Sequence, residues 1–441
     1  MFNCSSLIGN RLNGPIPKEL GNISTLQSLT VEDNMMTGII PAELGNLSSI
    51  ERLFFNSNFF TGELPASFAK LTTMKELRIQ ASGLEGPIPS SITLLENLTD
   101  LRISDLRGPD SFCPPFRITT LFENLILRSC NLIGQLPQSL PLVENVLDFS
   151  FNKLNGSIPA RFSELFDTDF IYLTGNLLSG DVPDWMPDIG QRIDLSYNNF
   201  TFRSSFNCLM RETNLFASFS EDIISDLPPG GASYFTSTDS RWGFSNTGNF
   251  MDNRIGTDSY IVKNTSRLLM NNSELYMSAR ASALSLTYYG FCLVNGSYNV
   301  SLHFAEILFT DDATYSSLGR RVFDIYIQGE LVEKDFDISE KAGGAGKEFV
   351  KNYTVNVNTT LLIRLNWAGK GTTNIPFRGV YGPLISAISV NPIEQVQQET
   401  PEPVPKKKST RITGTNGLKL GFRLDSGSGR RWSELADGGR Q

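Results

Sequence analysis

The sequence predicts a solenoid of short parallel strands, α/β in type but mostly strand and coil, followed by an all-β jelly-roll unit and a disordered tail. Three observations carry this reading. A Gly-x-x-Pro phrase recurs at steps of 24 residues through most of the first half. After Trp242 the pattern changes to short alternating strands broken by Gly, Asn and Asp. After Pro392, Pro, Lys, Gly, Ser and Arg dominate.

The phrase reads Gly14-Pro-Ile-Pro17, Gly38-Ile-Ile-Pro41, Gly62-Glu-Leu-Pro65 and Gly86-Pro-Ile-Pro89, and resumes at Gly134, Gly156 and Gly180. An apolar skeleton precedes each glycine. Leu26, Leu29, Val31, Asn34, Met36 and Gly38 fill one copy; Ile50, Leu53, Phe55, Asn58, Phe60 and Gly62 fill the next. This is a leucine-rich repeat array. Residues two apart on a strand share a face, so Leu29 and Val31 point inward and Thr30 outward. The turn that follows buries backbone groups, and an inward asparagine amide can satisfy them from coil to coil. That column reads Asn10, Asn34, Asn58, Ser82, Leu106, Cys130, Asn152, Asn176, Asn198. Leu106 cannot hydrogen-bond, which predicts an irregular coil around residues 104–118; Cys130 is expected to be a buried, inert thiol.

Stacked coils place a parallel sheet on the concave side. Its expected outward residues are Thr30, Phe54, Arg78, Arg102, Ile126, Asp148, Tyr172 and Asp194. Aromatic residues and arginines dominate binding hot spots. Phe54, Arg78, Arg102, Tyr172 and Asp194 are therefore the candidates for contact with a protein or peptide ligand.

The period ends after Phe202. Residues 203–235 read as a cap and linker, with Pro228-Pro-Gly-Gly231 at the boundary. Strands are expected at Tyr298–Phe304, Val322–Ile327, Thr354–Val357 and Leu361–Leu365. The last stretch, with nine basic and six acidic residues from Ile393 to Gln441, reads as a disordered tail. The resulting division is 1–202 repeats, 203–235 cap and linker, 236–393 β domain and 394–441 tail.

Six segments carry a more specific resemblance: Trp242-Gly-Phe-Ser-Asn-Thr-Gly248, Leu286-Thr-Tyr-Tyr-Gly-Phe-Cys292, His303-Phe-Ala-Glu306, Arg320-Arg-Val-Phe-Asp-Ile-Tyr326, Trp367-Ala-Gly-Lys-Gly371 and Arg378-Gly-Val-Tyr-Gly-Pro383. They resemble the malectin domain of plant leucine-rich-repeat malectin receptor-like kinases, and the repeats in front are similar to the same family. The resemblance implies a plasma-membrane receptor with a signal peptide, repeats, malectin domain, membrane helix and cytoplasmic serine/threonine kinase. This chain departs from that plan. It opens inside a repeat, without a signal peptide. The family's Asn-Cys-Gly-Gly opening strand is not found near 225–235, and neither an apolar span nor kinase motifs follow Pro392. A truncated or alternatively processed ectodomain, whose location is uncertain, is expected.

The resemblance also implies a sugar site. Animal malectin holds a glucose disaccharide in an aromatic cleft closed by an aspartate; Tyr288, Tyr289 and Phe291 match its aromatic loop. Tyr381-Gly382-Pro383 falls where the aspartate would be, and no acid stands there. Asn-x-Ser/Thr sequons at Asn22, Asn46, Asn97, Asn155, Asn199, Asn264, Asn271, Asn295, Asn299, Asn352 and Asn358, with a further one at Asn3, point to secreted ancestry and candidate glycosylation.

Composition removes other classes. Apolar residues are 40% and charged residues 19%, as in a folded soluble chain. A net charge of −8 argues against nucleic-acid binding. With a single histidine, His303, histidine-based catalysis or metal binding has little to work with; five scattered cysteines show no zinc spacing. Lys341–Glu348 lacks the Ser/Thr of a phosphate loop. Adjacent Asp311 and Asp312 do not face each other as a hydrolytic pair would.

These observations predict a non-catalytic recognition module without metal or cofactor. It would bind a peptide, protein or cell-wall glycan, with a coreceptor kinase as possible partner and no membrane span of its own. The alternative is a fragment of a transmembrane serine/threonine kinase whose remainder lies outside this sequence.

Overall fold

The computed structural model describes residues 4–117, 121–186, 193–201, 218–219, 232–236, 242–247, 250, 261–264, 268, 270, 273–291, 293–312, 314–373, 380–393 and 420–421. Nine parallel strands form one sheet in chain order: Cys4–Ser6, Ser28–Thr30, Arg52–Phe54, Glu76–Ile79, Asp100–Ser104, Leu121–Arg128, Leu142–Asp148, Phe170–Tyr172 and Ile193–Asp194. Inward residues of consecutive strands stack. Leu29, Leu53, Leu77, Leu101, Leu125, Leu147, Ile171 and Ile193 are each at most 1% exposed. Burying such a side chain contributes roughly 1.5–3 kcal/mol, so the ladder supplies the cohesion no single coil has.

The repeated phrase has a backbone explanation. All of its glycines except Gly86 turn the chain at positive φ, as at Gly38 (78°) and Gly62 (73°), where a side chain would be strained. The proline two residues past the next position then sets φ near −64° ahead of a 3₁₀ helix, as at Pro41 before Ala42–Asn46 and Pro17 before Lys18–Asn22 (φ −63°). Equivalent helices follow Pro65, Pro89 and Pro159.

The asparagine column forms as expected. Asn58 Nδ2 donates to the carbonyls of Val31 (2.9 Å) and Asn56 (3.0 Å), and its Oδ1 accepts from Met36 N (3.0 Å). Asn152 donates to Leu127, Phe149 and Ser150 and accepts from the amides of Cys130 and Leu132. Where the column falters, the described residues between Ser104 and Leu121 hold no 3₁₀ helix. Cys130, 1% exposed, turns its thiol toward the carbonyls of Arg128 and Ile103, and burial pushes its pKa well above the ordinary thiol value.

The second half is built from antiparallel sheets. In the largest, strands Ala232–Thr236, Trp242–Thr247, Ser285–Gly290, Leu361–Asn366, Phe323–Ile327 and Glu330–Phe336 lie side by side in that order. Gly296–Ala305 sits between Glu348–Val357 and Ala387–Pro392 in another. All four strands expected here are present, the third extending back to Glu348. Ala232–Thr236, in the stretch read as linker, pairs with Trp242–Thr247. The expected tail lies outside the described residues apart from Leu420–Gly421, which pairs with Ser389 and Val390. No helix among the described residues is long and apolar enough to cross a membrane.

The two halves meet along the turns that follow the repeat strands. The Trp367 ring packs edge-on against Phe151, 5.8 Å between centroids, and lies 4.3 Å from the Arg128 guanidinium carbon. Arg364 stacks on Tyr197 at 4.8 Å and on Tyr326 at 4.1 Å. Asp105, 9% exposed, faces Arg320 Nη2 and Gly371 N, both at 3.5 Å. Gly369 has φ 75° at this junction; a Cβ there would meet Arg128 Cγ at 2.9 Å and Ser129 Cβ at 3.0 Å. Near the first strand, Arg11 donates to the Asp312 carbonyl and to Ser317 Oγ.

Candidate recognition site

The expected outward residues form one unbroken row across eight strands. Thr30 pairs with Phe54, Phe54 with Arg78, Arg78 with Arg102, Arg102 with Ile126, Ile126 with Asp148, Asp148 with Tyr172 and Tyr172 with Asp194. Exposure along it is uneven. Phe54, Arg78 and Arg102 are half-buried. Tyr172 is only 6% exposed and Asp194 3%, which corrects the expectation that these two stand free on a solvated face. Tyr172 stacks parallel on Phe170 at 6.1 Å. Asp194 Oδ1 accepts from Ser196 N and Oγ, and burial raises its pKa. Asp148, the neighbour of Tyr172 on the other side of the row, is 1% exposed and bound to Arg128, which Trp367 covers from the β domain.

At the open end of the row, charge is tightly organised. Arg52 Nε pairs with Glu76 at 2.7 Å; Arg78 bridges Glu76 (3.0 Å) and Asp100 (3.1 Å); Arg102 Nε reaches Asp100 at 2.8 Å. Asn124 adds a further hydrogen bond to Asp100. The Arg78 guanidinium also lies 4.5 Å from the centre of the Phe54 ring. Arg78 and Arg102 are thus on adjacent strands, as expected, but both are held by Asp100, 2% exposed, which spacing alone did not single out.

A second set, Glu32, Asn56 and Gln80, lies two residues beyond the row on the same face. Asn56 Nδ2 donates to Glu32 Oε1 (2.5 Å) while its Oδ1 accepts from Gln80 N (2.7 Å). Burial first, then the Asp33 charge, raise the Glu32 pKa to about 7, against a smaller opposing pull from Arg78 and Arg102. These residues were readable from strand alternation, since i and i+2 share a face.

In the second half the sugar candidates divide. Tyr289 is 3% exposed and stacks parallel on half-buried Phe291 at 5.9 Å. Half-buried Tyr288 has its pKa pushed up by burial to about 12, against an opposing pull from the Arg280 charge. Arg280, 7% exposed, lies 4.1 Å from the Phe244 ring centre. Tyr381 is 2% exposed and packs on Trp367 and Phe250.

Three of the recognised segments converge on one buried ion pair. Arg321 Nε meets Glu306 at 2.7 Å, both side chains being 1% exposed, and Arg321 Nη1 donates to the Gly382 carbonyl at 2.7 Å. Glu306 Oε1 also accepts from Leu308 N. His303 lies between Tyr276 and Ser389, with Nδ1 3.2 Å from the hydroxyl of the first and Nε2 3.1 Å from that of the second. Asp311 accepts from Ala345 N in a separate loop and Asp312 from Thr314 N in its own turn, so the two carboxylates serve different structural bonds.

Residues 229–388 match the family model described as the malectin domain. They are a malectin domain. The match begins ahead of residue 236, and it includes the strand Ala232–Thr236. A probable LRR receptor-like serine/threonine-protein kinase of Arabidopsis thaliana, At1g53440, is 41% identical over 343 residues, 68% of this chain and 33% of that protein. Another from the same plant, At1g07650, is 59% identical over 172 residues, 38% of this chain and 17% of that protein. The chain therefore spans a third or less of the length of these relatives. Among solved structures, the crystal structure of PEPR1-AtPEP1 is similar with a TM-score of 0.40 and 28% identity, covering 45% of this chain and 28% of that one.

Of the sequons, Asn22, Asn46, Asn97, Asn155 and Asn199 are exposed on the repeats, and Asn295, Asn352 and Asn358 on the malectin domain. Asn264 and Asn299 are half-buried; Asn3 and Asn271 lie outside the described residues.

Proposed function

We propose that this chain is the extracellular recognition module of a plant receptor-like kinase and that it binds a peptide or protein on the concave repeat sheet. The single observation that carries this reading is the half-exposed cluster of Phe54, Arg78 and Arg102 in adjacent register on a rigid sheet. A stiff surface costs little ordering entropy on binding, and an aromatic ring among arginines supplies both apolar area and polar contacts. The apolar side chains that hold the coils together point the other way, and Arg78 of this cluster bonds Asp100 on the next coil.

In this reading the malectin domain contributes a second, glycan-directed surface around Tyr288 and Phe291, with Tyr289 supporting the Phe291 ring from behind. The exposed sequons support passage through the secretory route. Receptor–coreceptor pairing and kinase output belong to the longer relatives and are part of the proposal for this chain. The test is a binding screen of the glycosylated chain against secreted plant peptides and a glycan array. Phe54→Ala is expected to weaken peptide binding at least tenfold and leave glycan binding intact; Phe291→Ala is expected to do the reverse. A hit insensitive to both changes would overturn the assignment.

A further inference from the structure

The charge balance on the concave face points to the kind of ligand it takes, on the reading that this face binds a peptide. Three outward rows cross its strands. Every arginine in them is held by a carboxylate: Arg52 by Glu76, Arg78 by Glu76 and Asp100, Arg102 by Asp100, and Arg128 by Asp148. Among the carboxylates, Glu76, Asp100 and Asp148 are thereby paired, and Asp194 is sealed at 3% exposure against Ser196. Glu32 differs. It is partly exposed, it accepts a hydrogen bond from the neutral amide of Asn56, and no cation among the described residues lies within ion-pair distance of it.

We propose that the surface formed by Glu32, Asn56 and Phe54 is a docking site for a lysine or arginine side chain of a peptide ligand. The surroundings fit that group. Phe54 is the diagonal neighbour of Glu32 on the next strand, and Ile8, 46% exposed, stands one period before it. Together they offer apolar contact to the aliphatic stem, while the carboxylate takes the charge. Asn56 is fixed by Gln80 N and holds Glu32 in place before any ligand arrives. Burial keeps the Glu32 carboxyl protonated up to about pH 7, and an incoming cation offsets that penalty by favouring the ionised form. An acidic ligand would have to compete with Glu76 and Asp100 for arginines those carboxylates already hold, whereas a basic side chain meets Glu32 with no such competitor among the described residues.

The probe is a phage-displayed library of random ten-residue peptides selected on the intact chain, with selected peptides retested by fluorescence anisotropy on wild type, Glu32→Gln and Phe54→Ala. Peptides that depend on Phe54 are expected to be enriched in Lys or Arg and to lose at least tenfold in affinity on Glu32→Gln. Replacing that lysine by norleucine should cause a similar loss, and the two changes together should cost no more than either alone. Near-UV circular dichroism checks that Glu32→Gln keeps its fold. Phe54-dependent peptides with no basic enrichment, or with unchanged affinity for Glu32→Gln, would overturn the basic-ligand inference and leave peptide recognition standing. Absence of any Phe54-dependent peptide would overturn both.

Discussion

Arg128 and Trp367 are 239 positions apart, yet the guanidinium carbon of one lies 4.3 Å from the ring centre of the other. The same guanidinium bonds Asp148 on the concave sheet at 3.2 Å. One side chain therefore touches both the recognition face of the repeats and the malectin domain. Cation–π contacts reach about 2 kcal/mol or more when desolvated, and Arg128 is 1% exposed.

This junction is expected to make the two halves melt together. Trp367→Ala removes the ring from Arg128, Phe151 and Tyr381 and should cost about 3–5 kcal/mol. Differential scanning calorimetry should show one transition in wild type and a separate, earlier malectin transition in the variant. Arg128→Ala leaves Asp148 buried without its cation and should cost a similar amount. Because the two residues touch, the double variant should lose less than the sum of the single losses.

The asparagine column is expected to be far more sensitive than its exposure suggests. Asn152→Ala strips partners from buried carbonyls and amides on two coils, at about 1–3 kcal/mol per orphaned group. Urea unfolding should show a loss of several kcal/mol. Hydrogen exchange should rise first at Cys130 and Leu132, whose amides lose their acceptor.

Glu32 sets a pH dependence with a definite sign. Its folded pKa of about 7 lies above the ordinary carboxyl value of 4.5, so between those values the folded chain binds the extra proton and stability falls as pH rises. Glu32→Gln should therefore be more stable than wild type above pH 7, by about 1–3 kcal/mol once partial exposure is allowed for. The advantage should vanish below pH 4.5. Melting curves from pH 4 to pH 8 decide it.

Tyr172 and Phe54 occupy the same row but should respond differently. Phe54→Ala is expected to weaken peptide binding at least tenfold with a small effect on melting. Tyr172→Ala, at a site only 6% exposed and stacked on Phe170, should cost about 2–4 kcal/mol of stability, with binding per folded molecule little changed.

The sequence by itself determined the repeat. Steps of 24 place leucines over leucines, and strand alternation then dictates that Thr30 through Asp194 share a row, because side-chain direction is a local property of the backbone. It also marked the segments of the malectin domain, several of which serve packing, as Glu306 and Arg321 do. Only the tertiary structure decided which members of the row remain open. Burial of Tyr172 and Asp194, pairing of Arg78 with Asp100, and the hold of Trp367 on Arg128 depend on groups brought together from separate coils and domains. Exposure and charge compensation are set by neighbours in space, which a one-dimensional period cannot specify.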